Sequence, residues 1–129
     1  MQFEILLGEP DVVKYWSILD QLYDSGKLSG KDKTHFNKIV KSFRLLASNP
    51  RSKSLSTHEI QALTKRYGFK VFQSYLENKA PAAGRIFWAY GPSKGQITIL
   101  AIEPHPEMKS KSYARIKLSK FPSTKRKNS

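Results

Sequence analysis

The sequence predicts an α+β domain, in which an antiparallel sheet carries an N-terminal helix pair packed on one face. Two observations lead to this prediction. Apolar residues recur at helical spacing in two early segments, and short apolar runs bounded by glycine or proline follow them. The predicted order of elements is β-α-α-β-β-β, with one short element at the end.

The first three elements are predicted from the first 50 residues. A strand covers the apolar run Phe3–Leu7, and a helix follows Pro10, a residue that suits the first helical turn. A second helix begins after Ser29, because Asp32 three residues later completes a variant of the capping box. Its apolar face is formed by Phe36, Ile39, Val40, Phe43 and Leu46. Asn49-Pro50 ends it.

The later strands are predicted from alternation and from turn residues. A helix of at most two turns is expected to open at Ser56 and Glu59, and a loosely alternating strand follows over Lys70–Leu76. Two apolar runs, 86–90 and 97–102, then flank a loop with a glycine at each end, which is typical of a hairpin. The second run is apolar on both faces, as expected of a central strand. We expect the sheet face away from the helix pair to be open to a ligand.

Length and composition indicate one domain over residues 1–121 and a basic, disordered tail at 122–129. The chain has 129 residues, of which 39% are hydrophobic and 12% aromatic, which excludes a wholly disordered protein. Residues 109–118 fit either a short helix or an edge strand, and the sequence does not decide between them.

Charge is the strongest global property of the chain. Lysine and arginine number 23 against 10 acidic residues, giving a net charge of +13. Such an excess attracts polyanions, so nucleic acid is favoured over an acidic protein, a membrane surface or simple solubility. The absence of cysteine excludes disulfides and thiol chemistry. No apolar run approaches the ~20 residues of a membrane span, so we expect a soluble cytoplasmic protein with no membrane partner.

The residues suited to chemistry lie in and after the hairpin. Arg85 opens the first hairpin strand, and the residues that follow the second strand include His105, Lys109, Lys111, Tyr113 and Arg115. Cleavage of RNA by its own 2′-hydroxyl needs a base, an acid and positive charge at the phosphorane, which histidine, arginine and lysine supply. The alternatives are structural: Arg85 pairs only with Glu103, Tyr113 is a core aromatic, and the lysines are solvated. No metal or cofactor is expected, because the three histidines lack ligand spacing.

The chain resembles the RelE/ParE superfamily of bacterial toxin–antitoxin toxins over roughly Lys31–Leu118. The resemblance is carried by the helix pair, by the Arg-Ile-Phe-Trp-Ala-Tyr and Ile-Thr-Ile-Leu-Ala-Ile strands, and by the segment Leu55–His58, which is similar to the family's Leu-x-x-His. It implies a microbial RNase-like fold. It also implies either cleavage of mRNA in the ribosomal A site, as in RelE-like members, or inhibition of DNA gyrase, as in ParE-like members. An antitoxin protein would be the cognate partner.

The resemblance also implies site residues. Arg85 matches the strand arginine that contacts the scissile phosphate, and His105 and Tyr113 lie where the family has late catalytic residues. Lys70, Lys109, Lys111 and Arg115 are then expected to bind RNA phosphates. The chain departs from the family pattern at Gln73 and Tyr75, which replace middle-strand lysines, and at 103–107, where a basic residue is common. The predicted function is an mRNA interferase toxin, with a gyrase inhibitor or a basic nucleic-acid-binding module as alternatives.

Overall fold

A computed structural model describes residues 2–76, 84–103 and 116–122 of the chain. The elements in chain order are β1 (Glu4–Leu7), α1 (Asp11–Asp24), α2 (Gly30–Ser48), a 3-10 turn (Lys53–Leu55), β2 (His58–Glu59), α3 (Gln61–Tyr67), β3 (Phe72–Tyr75), β4 (Arg85–Tyr90) and β5 (Gln96–Glu103). The predicted α+β class is confirmed. Within the described ranges, every helix is too short or too polar to cross a bilayer.

The five strands form one mostly antiparallel sheet in the order β1-β5-β4-β3-β2. The three neighbouring pairs from β2 to β5 are antiparallel, whereas β1 pairs with β5 in parallel. The prediction that the second hairpin strand is central is confirmed, because β5 lies between β1 and β4 and is buried over 97–100. Strand β4 is the middle strand of the sheet, so its first residue, Arg85, has a neighbour on each side.

The first face of the sheet packs against the helix pair, as predicted. Ile86 and Trp88 of β4 lie in one buried cluster with Val12 of α1 and with Ile39 and Leu46 of α2. Burial of these side chains supplies most of the driving force that holds the helices to the sheet.

The expectation that the second face is open to a ligand is wrong over much of that face. Phe87 and Leu100 are buried there beneath Leu63 of α3 and Leu118 of the late segment 116–121. The late segment is held in place by backbone bonds, since the amide of Ser119 donates to the Leu100 carbonyl at 2.8 Å. A cover contributed by a seven-residue helix and by an irregular segment leaves almost no periodic signal in the sequence.

Three local features differ from the sequence prediction. His58 and Glu59 form a short strand beside β3, so α3 begins only after Ile60. The helix cannot open at Ser56, because Ser56 ends the 3-10 turn in the left-handed region at φ 49°. Residues 116–119 are neither helix nor strand, and Lys120 bridges to Glu9. The rest of 109–118, and the predicted tail beyond 122, lie outside the described residues.

Candidate functional site

One end of the second face carries polar side chains from four neighbouring strands. His58 of β2 is opposite Gln73 of β3, while Tyr75 of β3, Arg85 of β4 and Glu103 of β5 are aligned across three strands. Residues paired across strands share a face, and so do residues two apart, so these five side chains all project to the second face. We call this group of five residues the polar end.

Arg85 is held in place by contacts with Glu103 and Gln73 of the polar end and with the neighbouring Phe87. Its Nε and Nη2 donate to Glu103 Oε1 at 3.0 Å and 2.9 Å. Its Nη1 donates to Gln73 Oε1 at 3.2 Å, and its guanidinium carbon lies 5.2 Å from the centre of the Phe87 ring. Charge-assisted bonds in more than one direction fix the plane of the guanidinium. The structural alternative raised by the sequence, a pair between Arg85 and Glu103, is therefore present.

The pairing also sets the electrostatics of the polar end. The side chains of Arg85 and Glu103 are 17% and 29% exposed, so water screens their attraction only in part. Glu103 offsets the charge of the arginine, which weakens its attraction for a phosphate. An RNA phosphate at this site would compete with Glu103 for the same guanidinium.

Tyr75 of β3 adds an aromatic ring next to the arginine, and His58 of β2 adds a proton acceptor one strand further away. Their ring centres are 6.5 Å apart in an edge-on arrangement, and the His58 side chain is exposed. His58 Nδ1 lies 3.2 Å from the carbonyl oxygen of Ser56. Because a carbonyl only accepts, Nδ1 carries the hydrogen in this bond, and in the neutral ring Nε2 is the nitrogen able to take a proton.

The structure separates Lys70 from Arg85. Lys70 is exposed and precedes β3 at the end where Phe72 pairs with Trp88, whereas Arg85 pairs with Tyr75 at the other end. Phe72 and Tyr75 are three residues apart, roughly 10 Å at the usual strand rise, and Lys70 lies beyond Phe72. A phosphate held by Arg85 would not be held by Lys70 as well.

Five further predicted residues lie outside the described residues. They are His105 and Tyr113, predicted to be catalytic, and Lys109, Lys111 and Arg115, predicted to bind phosphate. Their roles remain predictions.

Sequence reasoning missed the grouping of His58, Gln73 and Tyr75 with Arg85. The alternation of 70–76 does place Gln73 and Tyr75 on one face, and this was the available signal. His58 gave none, because a strand of two residues has no period to detect. Only its pairing with Gln73 brings it to the polar end.

A cavity of about 240 Å³ borders the polar end, between the first turn of α1, the end of β5 and residues 116–119. Asp11, Tyr15 and Glu103 are among the side chains that line it. The Tyr15 hydroxyl lies 3.2 Å from His35 Nε2. Burial raises the pKa of Tyr15, and the nearby negative charge of Asp32 raises it further. The lining has mixed charge, because Lys117 is also part of it and Glu103 is paired with Arg85.

Metal binding finds no support in the part of the chain that the structure describes, where no three histidine or acidic side chains converge. No protein-family model matches the chain, and neither a curated protein nor a solved structure matches it significantly. The functional argument therefore rests on the residues of the site and on the charge of the chain.

Proposed function

We propose that the chain is the toxin of a type II toxin–antitoxin system and that it cleaves mRNA at the ribosome. The observation that carries the proposal is the polar end, where His58, Tyr75 and a fixed Arg85 share one sheet face. The net charge of +13 supports a polyanionic substrate. The sheet order and the helix pair agree with the RelE/ParE-like fold that the sequence resembles, although such an architecture is not specific to that family.

In the proposed reaction, Arg85 neutralises the scissile phosphate. Its guanidinium is already oriented by Glu103 and Gln73, so little reorganisation accompanies the build-up of negative charge on the phosphorane. His58 Nε2 takes the proton of the 2′-hydroxyl, and the 2′-oxygen attacks phosphorus. The 5′-oxygen leaves with a proton from an acid, for which His105 and Tyr113 are the candidates from sequence. The products are a 2′,3′-cyclic phosphate and a 5′-hydroxyl.

The second candidate is the alternative from the sequence, a ParE-like inhibitor of DNA gyrase, which needs no free arginine. Arg85 makes the contacts expected of a structural arginine, with Glu103 and Gln73 as its partners. An inhibitor needs a shaped surface and no base or acid. Under this alternative the polar end only stabilises the sheet.

Induced expression in a bacterial host, with primer extension on a reporter mRNA, separates the two functions. Arrested growth with new in-frame mRNA ends is expected for the wild type, and both effects should disappear in Arg85→Ala, His58→Ala and His105→Ala. The matched control is Lys94→Ala, which removes one exposed cation in the hairpin turn, at the far end of β4 from Arg85.

Three other outcomes of this experiment would contradict part or all of the proposal. Growth arrest without new mRNA ends would contradict the nuclease and favour gyrase or another protein target. Cleavage that persists in Arg85→Ala would remove the polar end from the mechanism. The absence of any arrest would contradict both toxin functions.

A further inference from the structure

A second cavity, of about 440 Å³, lies between the middle of α2, the 3-10 turn and the end of β3. Lys38 and Lys41 line it from α2, Ser54 from the 3-10 turn, and Tyr75 and Leu76 from the end of β3. We call it the basic cavity. Its volume falls within the roughly 300–1,000 Å³ that is usual for small-molecule sites.

The walls of the basic cavity are tied together by hydrogen bonds. The hydroxyl of Ser42, itself buried in α2, donates to the Leu76 carbonyl at 3.4 Å. On the other side, Trp88 Nε1 donates to Ser74 Oγ at 2.9 Å, and Ser74 Oγ is 2.7 Å from Thr57 Oγ1. Thr57 in turn donates to the Pro50 carbonyl at 2.8 Å. The first of these bonds joins two residues of the cavity lining, and the others fix β3 and the loop before β2 next to it.

The charge of the basic cavity distinguishes it from the smaller cavity beside α1. Lys38 and Lys41 are three residues apart on α2, a spacing that places both on one side of the helix. Among the described residues that line the basic cavity, none is acidic. The smaller cavity is lined by both signs of charge, with Asp11 and Glu103 beside Lys117. A phosphate would therefore be attracted more strongly to the basic cavity than to the smaller cavity.

Tyr75 connects the basic cavity to the polar end. Its ring contacts His58 edge-on on the second face, its backbone pairs with that of Arg85, and the residue also borders the basic cavity on the α2 side. Paired lysines on a helix are usually only solvated. Here they flank a concave site, and the Tyr75 ring lies next to it at the polar end; cationic and aromatic groups in succession are the combination found where proteins bind single-stranded nucleic acid.

We propose that the basic cavity binds a nucleotide of single-stranded RNA, next to the nucleotide whose phosphate meets Arg85. Tyr75 stacks on its base, and Lys38 and Lys41 contact its phosphate. The inference rests on the proposed function, since it gives the path of the RNA that is cleaved at the polar end. The strand would run from Arg85 past Tyr75 towards α2.

The test measures binding of a fluorescently labelled single-stranded oligoribonucleotide by anisotropy at several salt concentrations. Lys41→Ala should flatten the slope of log K against log salt by about 0.7, the value for one lost phosphate contact on a single strand. The control Lys94→Ala removes the same charge far from the cavity and should leave the slope unchanged. Equal slopes for Lys41→Ala and Lys94→Ala would overturn the proposal.

The aromatic contribution is tested at Tyr75. Tyr75→Leu should weaken RNA binding roughly tenfold because it removes the stacking surface, whereas Tyr75→Phe should bind like the wild type. Thermal unfolding of each variant confirms that it is folded before its affinity is compared. A Tyr75→Leu variant that is folded and binds with wild-type affinity would contradict the assignment of Tyr75.

The two proposals fail in different ways. If the wild type cleaves mRNA but the Lys41 and Tyr75 variants bind RNA normally, the basic cavity is wrong and the nuclease stands. If those variants weaken binding but the wild type cleaves no mRNA, the cavity stands and the nuclease fails. A wild type that does not bind single-stranded RNA even at low salt would overturn the cavity proposal.

Discussion

The two ends of the second sheet face differ in what covers them and in what they offer to a ligand. At the apolar end, Ala89 and Leu100 are buried beneath Leu63 and Leu118. Phe87 of β4 belongs to the apolar end. Two residues away on the same strand, at the polar end, Arg85 is partly exposed and forms an ion pair with Glu103. One strand thus contributes to both a sealed core and an accessible polar group, so stability and chemistry should respond to different substitutions.

The largest expected effect is at the apolar end, in Leu63→Ala. Leu63 is fully buried, so its loss should lower the free energy of unfolding by about 2–5 kcal/mol through lost burial and a new cavity. Urea denaturation measures the change, with Leu22→Ala on the exposed side of α1 as a control that should shift stability by less than about 1 kcal/mol. RNA affinity of the folded Leu63→Ala protein should be unchanged. A matching loss of affinity would break the distinction between the two ends.

A smaller loss of stability is expected at the polar end, in Arg85→Ala. The variant leaves Glu103 and Gln73 without the guanidinium that they now accept from, and this should lower the free energy of unfolding by about 1–3 kcal/mol. Urea denaturation beside Lys94→Ala, which should stay within about 0.5 kcal/mol of the wild type, isolates the effect of the pairing. Identical unfolding midpoints for the two variants would mean that the contacts of Arg85 contribute nothing to stability.

The smallest effect is a dependence of stability on alkaline pH at Tyr15, which lines the small cavity beside the polar end. Because burial and Asp32 raise the pKa of Tyr15, the unfolded chain releases this proton at lower pH than the folded chain. Stability should therefore be unaffected below the unfolded pKa of about 10 and should fall as pH rises above it. Tyr15→Phe should show a shallower fall than the wild type between pH 9 and 11. Parallel curves for the two proteins would contradict this account of the Tyr15 environment.

Much of the fold could be predicted from the sequence because it depends on repeating patterns. The helical spacing of Phe36, Ile39 and Phe43 predicted α2, and two apolar runs around a glycine-bounded turn predicted the β4–β5 hairpin. The two-faced apolar character of 97–102 correctly indicated a central strand. These features concern neighbouring residues, so a single chain segment contains the whole signal.

The rest depends on contacts between distant segments. Leu118 covers the second face from a segment without helix or strand, and β1 joins β5 in parallel across more than ninety residues of chain. The polar end has the same origin, since His58 reaches it only through pairing with Gln73. The pairing of Arg85 with Glu103 was foreseeable as an alternative, because both residues stand at the open end of one hairpin.

The most direct test of the central claim is whether the guanidinium of Arg85 meets an RNA phosphate, and Glu103→Gln provides it. Removing the competing carboxylate should strengthen binding of single-stranded RNA, measured by anisotropy, by roughly threefold or more when Arg85 is present. In an Arg85→Ala background the same substitution should change affinity much less. If Glu103→Gln changes affinity equally in both backgrounds, the effect is only that of net charge, and Arg85 does not bind RNA.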